Sequence, residues 1–174
     1  AASLNNLAGL YRDMGDNAKA EPLLLQSLAV TKNVLGDQHP NTAIILGNLA
    51  VLYDEMADYA KAEPLHLQSL ELTKHVQGNQ HRNTAISLNK LAMHYFKLGD
   101  FAKAELLYAQ SLEIRKNLLG DQPLTAIGLN NLAELYLATG DYTKAEPLNR
   151  QSLEITTKVL GNEHPQTASS LYNL

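Results

Sequence analysis

The segment from Leu91 to Glu105 carries the skeleton Leu-Ala-x-x-Tyr-x-x-x-Gly-Asp-x-x-Lys-Ala-Glu, and the chain repeats it. Its Leu-Ala pair falls at residues 7, 49, 91 and 132, in steps of 42, 42 and 41. A fixed period of this size means stacked supersecondary units, each too small to bury its own apolar face. The core is then a continuous strip between units.

Within one period the apolar spacing is helical. Leu4, Leu7, Ala8 and Tyr11 follow the i, i+3, i+4, i+7 pattern of one helix face. Gly15 breaks this helix A, and Asp16 or Asn17 can cap a second helix, B, whose buried side is read as Ala20, Leu24, Ser27, Leu28 and Leu35. Gly36 ends helix B, as Gly78, Gly120 and Gly161 do later. In the second period helix A is expected over about 40–56 and helix B over about 59–77. Pro40 and Pro165 suit the first turn of a helix. Pro22, Pro64 and Pro147 fall inside helix B, so either this helix starts later, near Lys19, or its first turn is bent; the later start is the expectation. No strand pattern and no linker is visible. The reading is one all-α domain, 1–174, of antiparallel helix pairs, with repeats at about 1–39, 40–81, 82–122 and 123–164 and a partial fifth at 165–174.

Composition narrows the function. A formal net charge of −4 argues against a nucleic-acid surface, which shows a basic stripe. With no cysteine, disulfides and thiolate metal sites are out. No apolar run approaches the ~20 residues that span a bilayer, so no membrane partner is expected. Ala1-Ala2-Ser3-Leu4-Asn5-Asn6-Leu7 matches Ala168-Ser169-Ser170-Leu171-Tyr172-Asn173-Leu174, so the chain reads as a piece of a longer array. Targeting signals and further domains could lie outside it.

The recurring Leu4, Leu7, Ala8, Tyr11, Gly15, Ala20, Leu24 and Ser27 with their counterparts resemble the tetratricopeptide repeat (TPR), a helix–turn–helix unit usually about 34 residues long. The longer period and the connector Leu35-Gly36-Asp37-Gln38-His39-Pro40-Asn41-Thr42-Ala43 look like the kinesin-light-chain subtype. The resemblance covers the whole chain. It departs at Ala57, where the other copies have Gly, and at His66, where an apolar residue is usual. It implies a right-handed superhelical solenoid with a concave groove lined by the A helices, serving as a scaffold for protein or peptide ligands.

Asn6, Asn48, Asn131 and Asn173 form a ladder on the A helices, with Lys90 in the third copy and Asn5, Asn89 and Asn130 beside it. An amide offers donors and acceptors to an extended peptide backbone whatever its sequence. The resemblance carries a peptide-contact role onto these positions; the alternative is that they stabilise helix packing. Helical phase adds Gly9, Arg12 and Asp13; Val51, Asp54 and Glu55; Met93, Phe96 and Lys97; and Glu134, Leu137 and Ala138. Met93 and Phe96 beside Lys90 and Lys97 would form an apolar pocket with a cationic rim, suited to an apolar anchor next to an acidic residue. Gly9 and Val51 stand where a carboxylate clamp would need asparagine, so a chaperone-tail receptor is disfavoured.

His39, His81 and His164 recur in the connectors, too far apart to share one metal, and are assigned to capping or turn formation. His66, His75 and His94 have no carboxylate at metal or triad spacing, and no metal or other cofactor is expected. Glu21, Glu63, Glu105 and Glu146 recur at one position, which marks a structural or solvated site. No phosphate loop, zinc-protease helix or nucleophile elbow is present, so no enzyme is read. Two other roles stay open: a spacer that self-associates end to end, and the sensor arm of a larger NTPase or enzyme.

Overall fold

The computed structural model describes residues 1–120 and 122–172, the side chain of Tyr172 excepted. All regular structure among these residues is α-helical. Two compact units are present. The first, Ala1–Asn79, holds α1 (Ala2–Asp13), α2 (Asn17–Leu35), α3 (Pro40–Glu55) and α4 (Tyr59–Gln77). The second, Gln80–Leu174, holds α5 (Arg82–Lys97), α6 (Phe101–Leu119), α7 (Pro123–Ala138), α8 (Tyr142–Leu160) and α9 (Pro165–Tyr172). Odd-numbered helices are the expected A helices and even-numbered ones the B helices. The all-α architecture of helix pairs and the bounds expected for α3 and α4 are borne out.

The repeated motif is a chain of physical parts. Gly15 N–H bonds to Arg12 O and Asp16 N–H to Tyr11 O, both at 2.8 Å, which closes α1 with a left-handed residue and leaves few carbonyls unmet. Asp16 then caps α2, its Oδ1 accepting from Lys19 N–H at 3.2 Å. Its Oδ2 lies 2.7 Å from Lys19 Nζ, and that ammonium stands 5.3 Å above the Tyr11 ring. Lys61, Lys103 and Lys144 stand over Tyr53, Tyr95 and Tyr136 at 4.9, 4.6 and 4.8 Å. One lysine thus ties the cap to the preceding helix. Ala20, Ala62, Ala104 and Ala145 are sealed from solvent.

Hydroxyls complete each pair. Ser27, Ser69, Ser111 and Ser152 donate to the carbonyls of Ala1, Ala43, Ala85 and Ala126. Glutamates join one pair to the next: Tyr53 Oη donates to Glu21 at 2.8 Å in the first unit, and Tyr136 Oη to Glu105 at 2.6 Å in the second. The structural reading of these two glutamates holds. Apolar filling in the first unit comes from Ala8, Leu24, Ile45, Leu49, Leu52 and Tyr53, with Leu46 and Leu72 in a second cluster. In the second unit Leu88, Leu91, Tyr108, Leu129, Leu132 and Ile155 are buried.

Two expectations are corrected. Helix B does not start near Lys19: α2 begins at Asn17, capped by Asp16, and Pro22 lies inside it. The proline leaves one carbonyl unmet, that of Ala18 in the exposed first turn, where water can serve it. The later repeats with Pro64 and Pro147 run the same way, and α6, with Leu106 there, has the same 19 residues. Leu35, expected buried, is 47% exposed. Ser27 already reaches the carbonyl of Ala1, so Leu35, two turns further along α2, has no α1 residue beside it.

Candidate functional site

Connector histidines cap the start of α3, α5 and α9. Nδ1 of His39 accepts from Asn41 N–H at 3.1 Å, His81 from Asn83 at 3.1 Å, and His164 from Gln166 at 3.2 Å. Thr42 closes the same connector by donating to Gly36 O at 3.0 Å. The expected capping role is borne out. Asp121 of the third connector lies outside the described residues.

In the first unit, Asn48 on α3 donates from Nδ2 to Asn5 Oδ1 on α1 at 2.8 Å. Asn5 and Asn48 are half-buried and Asn6 is exposed. In the second unit, Asn131 on α7 donates to Asn89 Oδ1 on α5, again at 2.8 Å. Asn89 is buried, Asn130 and Asn131 are half-buried, and Asn130 Oδ1 is buried without a partner. The two asparagine rows, read from sequence as neighbours, are hydrogen-bonded across adjacent A helices. One such bond uses one of the two N–H donors and one of the two carbonyl lone pairs that each amide offers. Asn173 lies outside the described residues.

On α5, Met93 is 42% exposed, Lys97 is exposed, and Lys90 and Phe96 are half-buried. Phe96 packs edge-on against Phe101 of α6, with ring centroids 5.7 Å apart. The Asn89 amide also reaches Met93 Sδ at 3.5 Å. Glu134 on α7 is exposed and lies near Tyr108, whose hydroxyl is held well above its usual range by burial first and by Glu134 second. Lys97, Met93 and Phe96 therefore share one short stretch of helix beside the Asn89–Asn131 bond.

Two residues read as groove-facing or unpartnered prove otherwise. Asp54 is 6% exposed and His66 1% exposed, and His66 Nε2 lies 2.8 Å from Asp54 Oδ2. With the Asp54 carboxylate as acceptor, Nε2 is the ring nitrogen that donates. Spacing within one helix gives no sign of the pair, because its members lie on different helices, 12 residues apart. The available signal was coincidence: only the second copy has ionisable residues at both positions, against Arg12 with Leu24, Phe96 with Tyr108 and Leu137 with Asn149. A separate cleft of about 650 Å³ opens in the first unit between Lys32, Asp37, Thr42, Glu71 and His75, and none of the expected groove residues lines it.

The tetratricopeptide-repeat profile matches residues 1–75, 55–117 and 124–174. No curated protein matches the chain. Among solved structures, BtubC (BKLC) from P. vanneervenii is 27% identical with a TM-score of 0.80, over 93% of this chain and 65% of that one. A Podosopora anserina putative kinesin light chain with nearly identical TPR-like repeats is 28% identical with a TM-score of 0.82, over 99% of this chain and 82% of that one. A point-substituted form of that protein gives 28% and 0.83 over the same shares. The chain belongs to the tetratricopeptide-repeat family, in its kinesin-light-chain-like form.

Proposed function

We propose that this repeat scaffold binds an extended or short helical peptide along the side of its A helices that bears the asparagines. The observation that carries the reading is the exposed Met93 next to Phe96 and Lys97, beside the Asn89–Asn131 amide bond. An apolar side chain of the ligand would bury against Met93 and Phe96. A neighbouring acidic side chain would meet Lys97 and Lys90, and amide groups of the ladder would serve the peptide backbone. In the first unit Asn5, Asn6 and Asn48 offer the equivalent amides. Family membership supports a binding role, since stacked helix pairs create long concave surfaces.

Peptide display against the purified domain tests this, with Met93→Ser, Lys97→Glu screened in parallel because both side chains are exposed. The expected result is enrichment of peptides pairing an apolar with an acidic residue, and at least about tenfold weaker binding to the variant, the size of one lost hot-spot contact. No enrichment from the folded domain, or equal binding to the variant, overturns the reading.

A further inference from the structure

Arg115 on α6 is 7% exposed, and among the described residues its one hydrogen bond runs from Nη1 to the carbonyl of Leu124 on α7 at 2.6 Å. Its Nε is buried without a partner, while Nη2 is hydrogen-bonded to no described residue. Nε and Nη2 share one edge of the planar group. That edge takes a carboxylate or phosphate through two parallel bonds. Among the described residues no carboxylate pairs with Arg115. Its charged neighbour is another cation, Arg82 at the start of α5; burial first and Arg82 second hold the guanidinium below its usual range. A buried cation beside a second cation is costly until an anion joins them.

The repeat pattern shows that this charge is an insertion with its own accommodation. Thr31, Thr73 and Thr156 stand at the position of Arg115, and Ile45, Ser87 and Ser170 at that of Gly128. A Cβ on Gly128 would meet Leu112 Cδ1 at 3.2 Å and Arg115 Cδ at 3.4 Å, so the glycine leaves the space that the arginine occupies. In the first unit the corresponding Thr31 and Ile45 line a cavity of about 130 Å³ together with Asn5, Asn6 and Asn41. In the first unit this position therefore opens toward Asn5 and Asn6.

We propose that the Nε–Nη2 edge of Arg115, backed by Arg82, is an oxyanion-binding site for a carboxylate or phosphate group. Its assignment to an acidic residue of a bound peptide rests on the groove reading above; binding of the free oxyanion does not.

The test is an NMR titration of the whole chain with inorganic phosphate, against chloride at equal ionic strength, and then with a blocked tri-glutamate peptide. The Arg115 Nε–H resonance and the amides of Leu124 and Thr125 are followed. The expected result is a saturable shift with phosphate and not chloride, several-fold weaker in Arg82→Ala. The amide shifts should vanish in Arg115→Thr, Gly128→Ile, which restores the Thr and Ile found at 31 and 45 and so should fold. Equal responses to chloride and phosphate, or amide shifts that survive in the double variant, overturn the site. Phosphate binding without a response to tri-glutamate upholds the oxyanion site and overturns its assignment to peptide carboxylates, whatever the display selection returns.

Discussion

Asp54 and His66 form a hydrogen-bonded pair, 2.8 Å apart and closed off from water, in a layer where no other repeat pairs two ionisable side chains. Removing one member leaves the other's polar atoms buried without their partner. His66→Leu is expected to cost about 3 kcal/mol, within the range for breaking buried pairs. Replacing both, Asp54→Leu with His66→Leu, should recover most of that loss, since apolar residues of similar volume avoid the desolvation penalty. Urea unfolding of the two variants and the parent reads this directly, and a double variant no more stable than the single one contradicts it.

Ala57 holds φ +57°, the left-handed conformation that Gly15, Gly99 and Gly140 hold at +76°, +77° and +78° in the other hairpins. The turn requires it, because Ala57 N–H bonds to Asp54 O and Asp58 N–H to Tyr53 O. A Cβ in this region costs roughly 1–2 kcal/mol, part of which is offset by the smaller entropy of alanine in the unfolded chain. Ala57→Gly is therefore expected to stabilise the domain by about 1 kcal/mol, seen as a higher urea midpoint at unchanged m-value.

The helix pairs were legible because local chemistry repeats: each Gly-Asp hairpin, connector glycine and alanine stripe carries its reason within a dozen residues. Where the reading failed, the deciding partner lay elsewhere. Pro22 was read as a late helix start because proline propensity is a local rule, while Asp16 fixes the start by its bond to Lys19 N–H. The asparagines were found as a row, but their bonds span 42 or 43 residues, and spacing within one helix gives no sign of them. Arg115 was passed over because its position holds threonine in the other repeats, and only Gly128, on the next helix, shows that the site was remade.

The caps make the domain sensitive to acid. Asp58, Asp100 and Asp16 have carboxyl groups held below the ordinary value of 3.8, chiefly by the hydrogen bond from the lysine three residues on. A lowered folded-state value means that stability is fully present above the unfolded value. It is lost as pH falls from there through the folded one. Asn caps a helix as well as Asp but neither titrates nor pairs with lysine. Asp100→Asn should keep its helix at neutral pH and show a shallower fall in Tm below about pH 4. An acid limb identical to the parent's would mean that the pair contributes nothing to it.

The bond from Asn131 to Asn89 gives the asparagine row a test that separates packing from ligand contact. Asn131→Ala leaves the buried Asn89 carbonyl oxygen without this donor, which costs about 1–3 kcal/mol. Replacing both with leucine removes the orphaned group and should restore part of the stability. If the amides only join α5 to α7, the double variant regains stability and binds display-selected peptides like the parent. If they also serve the peptide backbone, stability returns while affinity stays low, about tenfold for each 1.4 kcal/mol of lost contact. The peptide-groove reading expects the second result, measured by urea unfolding and calorimetric titration on the same samples.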